Sequence, residues 1–260
     1  ALDLEREDLE REIRLAKGLD IGELRIGLGP FGAAALAGPV AGALSRQSPG
    51  LRMKLLIATP ADLPDYVRAG ELDLFVGNPY VVERLDDFFI ERLSHHPLHL
   101  TARSGHPIFD MNSPWEHLFD FPIAAPWLPE RFANALISLA PAKMRRALSR
   151  SGPITLQCTS AQMIVDVIAG SDAVALLPYF VTQDLVAIGR LATVPPPPNA
   201  PTLRPTLAWL HRRSVSGPMA KFIAMIRAHD AAMAATAASA AQITKMNGRR
   251  AARGKRIRVL

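Results

Sequence analysis

A chain of 260 residues is long enough to bury a large core, as one big domain or as two lobes, and its net charge of +6 is gathered at one end. From Gln242 to Leu260 stand seven basic residues and no acid; without them 23 basic residues face 24 acidic ones, so composition gives the body no basic face. The single cysteine, Cys158, excludes an internal disulfide, and no apolar run nears the ~20 residues of a membrane span, so a reducing, cytoplasmic setting without membrane contact is expected.

In chain order, residues 1–20 read as a linker or dimerisation helix. Glu7 and Arg11, and Glu10 and Arg14, lie one helical turn apart. Leu2, Leu9, Ile13 and Ala16 make a narrow apolar stripe, suited to a second helix or to the helix's own domain. Gly18 and Gly22 then stop it. A first lobe is expected over 22–94 together with 206–235. It opens with the strand Glu23–Leu28, continues in a Gly- and Ala-rich helix that Pro39 restarts or kinks, and turns at Ser48-Pro49-Gly50. The strand Leu51–Ala58, a helix over Ala61–Ala69 and the strand Leu72–Val76 follow.

A second lobe is expected over 95–205. It begins with the strand Pro97–Ala102 and continues with a short helix near Trp115–Leu118, the strand Pro122–Ala125 and a helical stretch over Glu130–Arg150 broken by Pro141. The strand Ile154–Cys158, the helix Ala161–Ala169, the strand Ala173–Leu177 and the extended connector Pro195–Pro198 complete it. The strand Thr206–Leu210 and the Ala-rich helix Pro218–Ala235 then return to the first lobe. Two crossings between lobes make a hinge. Residues 241–260 read as a basic, disordered tail. Alternation of strands and helices puts the chain in the α/β class, as two Rossmann-like lobes with a cleft between them.

The two lobes share a faint internal echo. Thr59–Gly70 and Thr159–Gly170 agree at five of twelve positions, each with a Thr where a helix cap belongs and a Gly where the helix stops. Helix N-termini expose N–H groups that favour anions, so Thr59, Thr159 and Ser160 are candidates for lining a ligand site as well as for capping. Gly27-Leu28-Gly29-Pro30-Phe31-Gly32 has the spacing of a dinucleotide fingerprint, but Pro30 removes an N–H donor and no acid ends the second strand. Those glycines read instead as packing or backbone-approach positions. His95, His96, His99 and His106 lack a Cys or carboxylate at ligand spacing and read as hinge or surface residues, with no metal. No nucleophile elbow, phosphate loop or zinc-protease motif is present, so neither catalysis nor a cofactor is expected.

The order of GELRIGLG, QSPGLRMKLLIA, LPDYVRAGELDLFVG, RLSHHPLHLTARSGHPI and AQMIVDVIAGSDAVALLP resembles the effector-binding domain of LysR-type transcriptional regulators over about Gly22 to His229. The resemblance implies a type 2 periplasmic-binding-protein architecture, a small-molecule effector between the lobes, self-association as a dimer or tetramer, and promoter DNA bound through a winged helix-turn-helix that these residues do not contain. A chain beginning with Ala then reads as the sensing part of a longer regulator. By position, the resemblance sets Pro30, Phe31, Thr59, Pro60 and Asn78 on the first lobe's rim, and Pro126, Trp127, Thr159, Ser160 and Pro178 opposite. The effector is expected to be an organic acid or an aromatic metabolite. A solute-binding protein for transport shares the fold and stands as the alternative; an enzyme on the same scaffold is the third class.

Overall fold

The computed structural model describes residues 22–77, 85–128, 130–198, 200 and 202–257, the last twenty of them as backbone. The chain opens with strand β1 (Glu23–Leu28). A π-helical stretch, Gly32–Ala37, then runs straight into helix α1 (Gly38–Gln47). Strand β2 (Arg52–Ile57), helix α2 (Leu63–Arg68), strand β3 (Leu74–Gly77) and strand β4 (Phe88–Arg92) follow. The chain then crosses to the second lobe, where strand β5 (His96–Arg103), strand β6 (Ala124–Ala125), helices α3 (Glu130–Ser138) and α4 (Ala142–Ser151), and strand β7 (Leu156–Gln157) stand in turn. Helix α5 (Ala161–Gly170), strand β8 (Ala175–Pro178), helix α6 (Tyr179–Ala187), strand β9 (Leu191–Val194) and strand β10 (Thr202–Leu203) complete that lobe. Strand β11 (Thr206–Leu210) and helix α7 (Gly217–Ile257) return to the first.

The first lobe is one five-stranded sheet in the order β2-β1-β3-β11-β4, with β1, β2 and β3 parallel and β11 antiparallel to β3. Leu24, Ile26 and Leu28 of β1 are buried on one face of the sheet, and Gly27 on the other face lies against Leu63 and Leu72. The π-helical stretch, α1 and α7 cover one face, with Leu36, Val40, Leu44, Phe222 and Ile226 packed on β1 and β3. Each such fully buried aliphatic or aromatic side chain contributes about 1.5–3 kcal/mol. Leu63 and Val67 of α2 cover the other face.

The second lobe repeats that plan. β6 pairs with β7 in parallel, Ile123 bridges Val174 in parallel beside β8, and β8 pairs antiparallel with β5. Its order β7-β6-β8-β5 therefore mirrors β2-β1-β3-β11. The echo of Thr59–Gly70 in Thr159–Gly170 falls on equivalent segments, each running from the end of the lobe's second strand into its helix. The chain passes from one sheet to the other at 93–95 and back at 204–205.

Several expectations change. The π-helical stretch lies directly before Pro39, whose missing N–H removes one i→i−4 bond and widens the preceding turn. Helix α2 starts at Leu63, with Asp62 at its N-cap, later than the expected Ala61, because Pro64 supplies the first-turn proline. Thr59 accordingly caps no helix; its hydroxyl donates to Asp62 Oδ2 at 2.6 Å. Gly70 ends α2 with φ +76°, a left-handed stop, whereas Gly170 is the last helical residue of α5 and has no positive φ. The basic tail expected to be disordered continues α7 as helical backbone to Ile257, in keeping with the high helix propensity of its Ala and Arg residues. The linker helix over 1–20 and Asn78 lie outside the described residues.

Candidate functional site

The carboxyl ends of the parallel strands in both lobes open onto one interlobe cavity of about 70 Å³. Open α/β sheets carry ligands on that edge. From the first lobe come Gly29, Pro30 and Phe31 after β1, Thr59 and Pro60 after β2, and Val76 and Gly77 of β3. The second lobe answers with Ala125 at the end of β6, Pro126 and Trp127 after it, Thr159 after β7 and Leu176 of β8. Gly-Pro-Phe thus faces Ala-Pro-Trp, and Thr59 faces Thr159, at topologically equivalent positions. The structure brings together seven expected residues: Pro30, Phe31, Thr59, Pro60, Pro126, Trp127 and Thr159.

Two expected residues stand elsewhere. Ser160 is the N-cap of α5, its Oγ accepting from Met163 N–H at 3.2 Å, and it is not among the residues lining the cavity. Pro178 is buried at the end of β8 and starts α6, away from the cavity lining. The cavity also has an apolar floor that motif reading missed, made by Leu98, Phe132, Leu136, Ile154 and Leu203. Their only trace in the sequence is their place in apolar strand and helix runs.

Phe31 ties the lobes together. It leaves β1 of the first lobe and packs against second-lobe clusters containing Leu98, Phe132, Leu177 and Leu203. Trp127 is 45% exposed at the opposite rim. Among the described residues no charged side chain lines the cavity. Its side-chain polar groups are the hydroxyls of Thr59 and Thr159 and the indole N–H of Trp127, and Thr159 makes no hydrogen bond among the described residues.

Two of the fingerprint glycines, Gly27 and Gly32, are packing positions, and Gly29 lines the cavity. A Cβ on Gly27 would stand 2.6 Å from side-chain carbons of both Leu63 and Leu72, and one on Gly32 would stand 3.3 Å from Val76. Bare backbone here lets α2 and β3 close against β1.

The histidines sit at the hinge and in the core, and no group of three or more His, Cys, Asp or Glu fit to hold a metal occurs among the described residues. His96 Nε2 lies 2.8 Å from Asp230 Oδ1, both side chains buried, and Ser94 N–H donates to Asp230 Oδ2 at 2.8 Å. Ser94 belongs to the first crossing and Asp230 to α7, so this pair pins the hinge. Burial pushes the Asp230 carboxyl up; hydrogen bonds from His96 and Ser94 outweigh it and hold the group below the usual range. Burial lowers the His99 imidazole. His106 accepts from Ile108 N–H at 3.1 Å and closes a short helical turn. Arg204 Nε donates to Leu93 O at 3.0 Å, binding the second crossing to the first. Cys158 is half-buried, donates to Ser160 O at 3.5 Å and does not line the cavity.

Known proteins align with this arrangement. The profile of the LysR substrate binding domain matches residues 17–231. The SDS degradation transcriptional activation protein of Pseudomonas sp. (strain ATCC 19151) is 30% identical over 195 residues, covering 71% of this chain and 60% of that protein. The HTH-type transcriptional regulator PcaQ of Agrobacterium fabrum is 26% identical over 147 residues, 56% of this chain and 46% of its own length. The chain therefore spans about half to three-fifths of these relatives. Among solved structures, the reduced OxyR regulatory domain of Pseudomonas aeruginosa superposes with a TM-score of 0.63 at 19% identity, over 80% of this chain and 96% of that one. A full-length OxyR variant from the same organism gives 0.67 at 20% identity, over 90% and 76%.

Proposed function

Because the chain belongs to the LysR substrate binding domain family, we propose that its interlobe cavity senses a small, largely apolar or aromatic molecule and passes its presence to a transcription regulator. The relatives are regulators of transcription, which sets aside the transport alternative and weighs against an enzyme. In the whole protein, DNA contact through a helix-turn-helix outside these residues, self-association and a cytoplasmic location complete the reading. No helix among the described residues is long and apolar enough to cross a membrane.

The observation that carries the ligand class is the lining itself. Paired Pro-aromatic corners and an apolar floor favour a hydrophobic skeleton, and two threonine hydroxyls offer orientation by hydrogen bonding. A carboxylate would find backbone N–H groups near Pro30 but no cationic side chain among the described residues. The aromatic half of the earlier expectation is therefore favoured over the organic acid.

Thermal melting with matched pairs tests this, since a molecule that binds only the folded state raises its stability by RT ln(1 + [L]/Kd). 1-Octanol should raise the melting temperature more than octanoate, and benzyl alcohol more than benzoate. A larger rise with both anions would overturn the apolar reading.

Self-association has a candidate surface in β2. It is the outer strand of its sheet, and Leu55, Leu56 and Ile57 are exposed on it. An outer strand with unpaired backbone groups and apolar side chains is a template for a second chain.

A further inference from the structure

Composition gives the body of this chain no basic face, yet the fold makes one on the second lobe. From Arg131 to Val165 the sequence holds five basic residues and no acid. Four of them, Lys143, Arg145, Arg146 and Arg150, stand on α4, a helix with no buried residue. Lys143, Arg146 and Arg150 are spaced three and four apart, which sets them on one helical face. All three are exposed, and none makes an ion pair among the described residues. Arg145 points back, donating to Ala140 O at 2.8 Å.

We propose that this face of α4 contacts the phosphate backbone of double-stranded DNA, independently of base sequence. The three cations span about 10 Å along the helix at 1.5 Å per residue, a length over which duplex DNA, with one charge per about 1.7 Å of axis, offers several phosphates. The chemistry of the face favours a duplex over a lipid surface. A helix lying on a membrane needs a free apolar side, whereas the two larger apolar residues of α4, Met144 and Leu148, are half-buried on the side facing the lobe, where α4 packs on α3. Ser149 and Ser151 hydroxyls return to the helix's own carbonyls at Arg145 and Ala147, leaving the cations as the outward chemistry. Helix α4 also lies in sequence between Leu136 and Ile154, both of which line the cavity. Ligand and duplex contact thus share one segment of the lobe.

The test measures binding of this 260-residue chain to a fluorescein-labelled duplex of arbitrary sequence by anisotropy, across a potassium chloride series. Each phosphate neutralised contributes about −0.9 to the slope of log K against log salt. The triple variant K143Q/R146Q/R150Q should therefore show a slope shallower by about 3, while R146K/R150K keeps the original slope. The basic tail is present in every variant and cancels from the comparison. Circular dichroism should find the triple variant as stable as the unmodified chain, and its melting shift with 1-octanol should be unchanged, which separates this surface from the sensing cavity. Equal slopes in the triple variant and the unmodified chain would overturn the proposal. So would binding to phosphatidylserine vesicles that depends on these three residues while duplex binding does not.

Discussion

At the residue scale, the paired threonines and the serine beside one of them divide the work of the two lobes. Thr59 and Thr159 occupy equivalent places and both reach the cavity, but Ser160 alone caps a helix with its side chain. Losing an N-cap hydroxyl costs about 1 kcal/mol, so Ser160→Ala should lower the unfolding free energy by that amount, seen as a lower denaturant midpoint at unchanged slope, and leave ligand affinity unchanged. Thr159→Ala should do the reverse, weakening a bound alcohol while the midpoint holds. Equal loss of affinity in both variants would contradict the division. The sequence already showed both threonines; it did not separate capping from lining, because Pro60 and Pro64 each suit a first helical turn and only packing selects Pro64.

At the element scale, the strands were readable wherever a short apolar run stood between turn residues, as in β1, β3 and β11. Helix α6 was not, since Tyr179, Phe180, Val181, Leu185 and Val186 scatter round its circumference and leave no stripe. The reach of α7 past Ala235 was hidden by its own composition, in which a run of Ala fits a helix and a Gly- and Arg-rich end fits a tail. Strand β2 carries a consequence for assembly. Ile57 is 57% exposed on an outer strand, so Ile57→Lys should cost little stability and shift the sedimentation of the chain toward monomer. An unchanged distribution of species would place self-association on another surface.

At the scale of the whole molecule, the hinge is held by polar contacts and the cavity by apolar ones. Asp230, His96, Ser94, Arg204 and Leu93 bind both crossings to α7 and to each other. Because the Asp230 carboxyl is held below its ordinary value, its contribution is present above about pH 4 and lost as pH falls through the folded-state value. His99 works at higher pH: burial lowers its folded-state value, so the unfolded chain takes up the proton first and stability declines as pH falls below about 6.5. Denaturant midpoints against pH should show both declines. His99→Gln should flatten the decline below about pH 6.5, and its persistence in that variant would assign it to another group.

The two-lobed plan was legible because strand, turn and cap chemistry are local, whereas the rim residues were placed by the family resemblance. The apolar floor was not, since Leu98, Leu136, Ile154 and Leu203 meet only through tertiary folding.

A ligand in that cavity must touch both lobes, and differential contact with open and closed states is what would let it shift their balance. Methyl-resolved NMR during titration with 1-octanol tests this most directly. Resonances of Leu98, Leu136, Ile154, Leu176 and Leu203 should shift together while those of Leu55, Leu56 and Ile57 stay fixed; shifts confined to the exposed β2 residues, or to neither group, would contradict an interlobe sensor for apolar molecules.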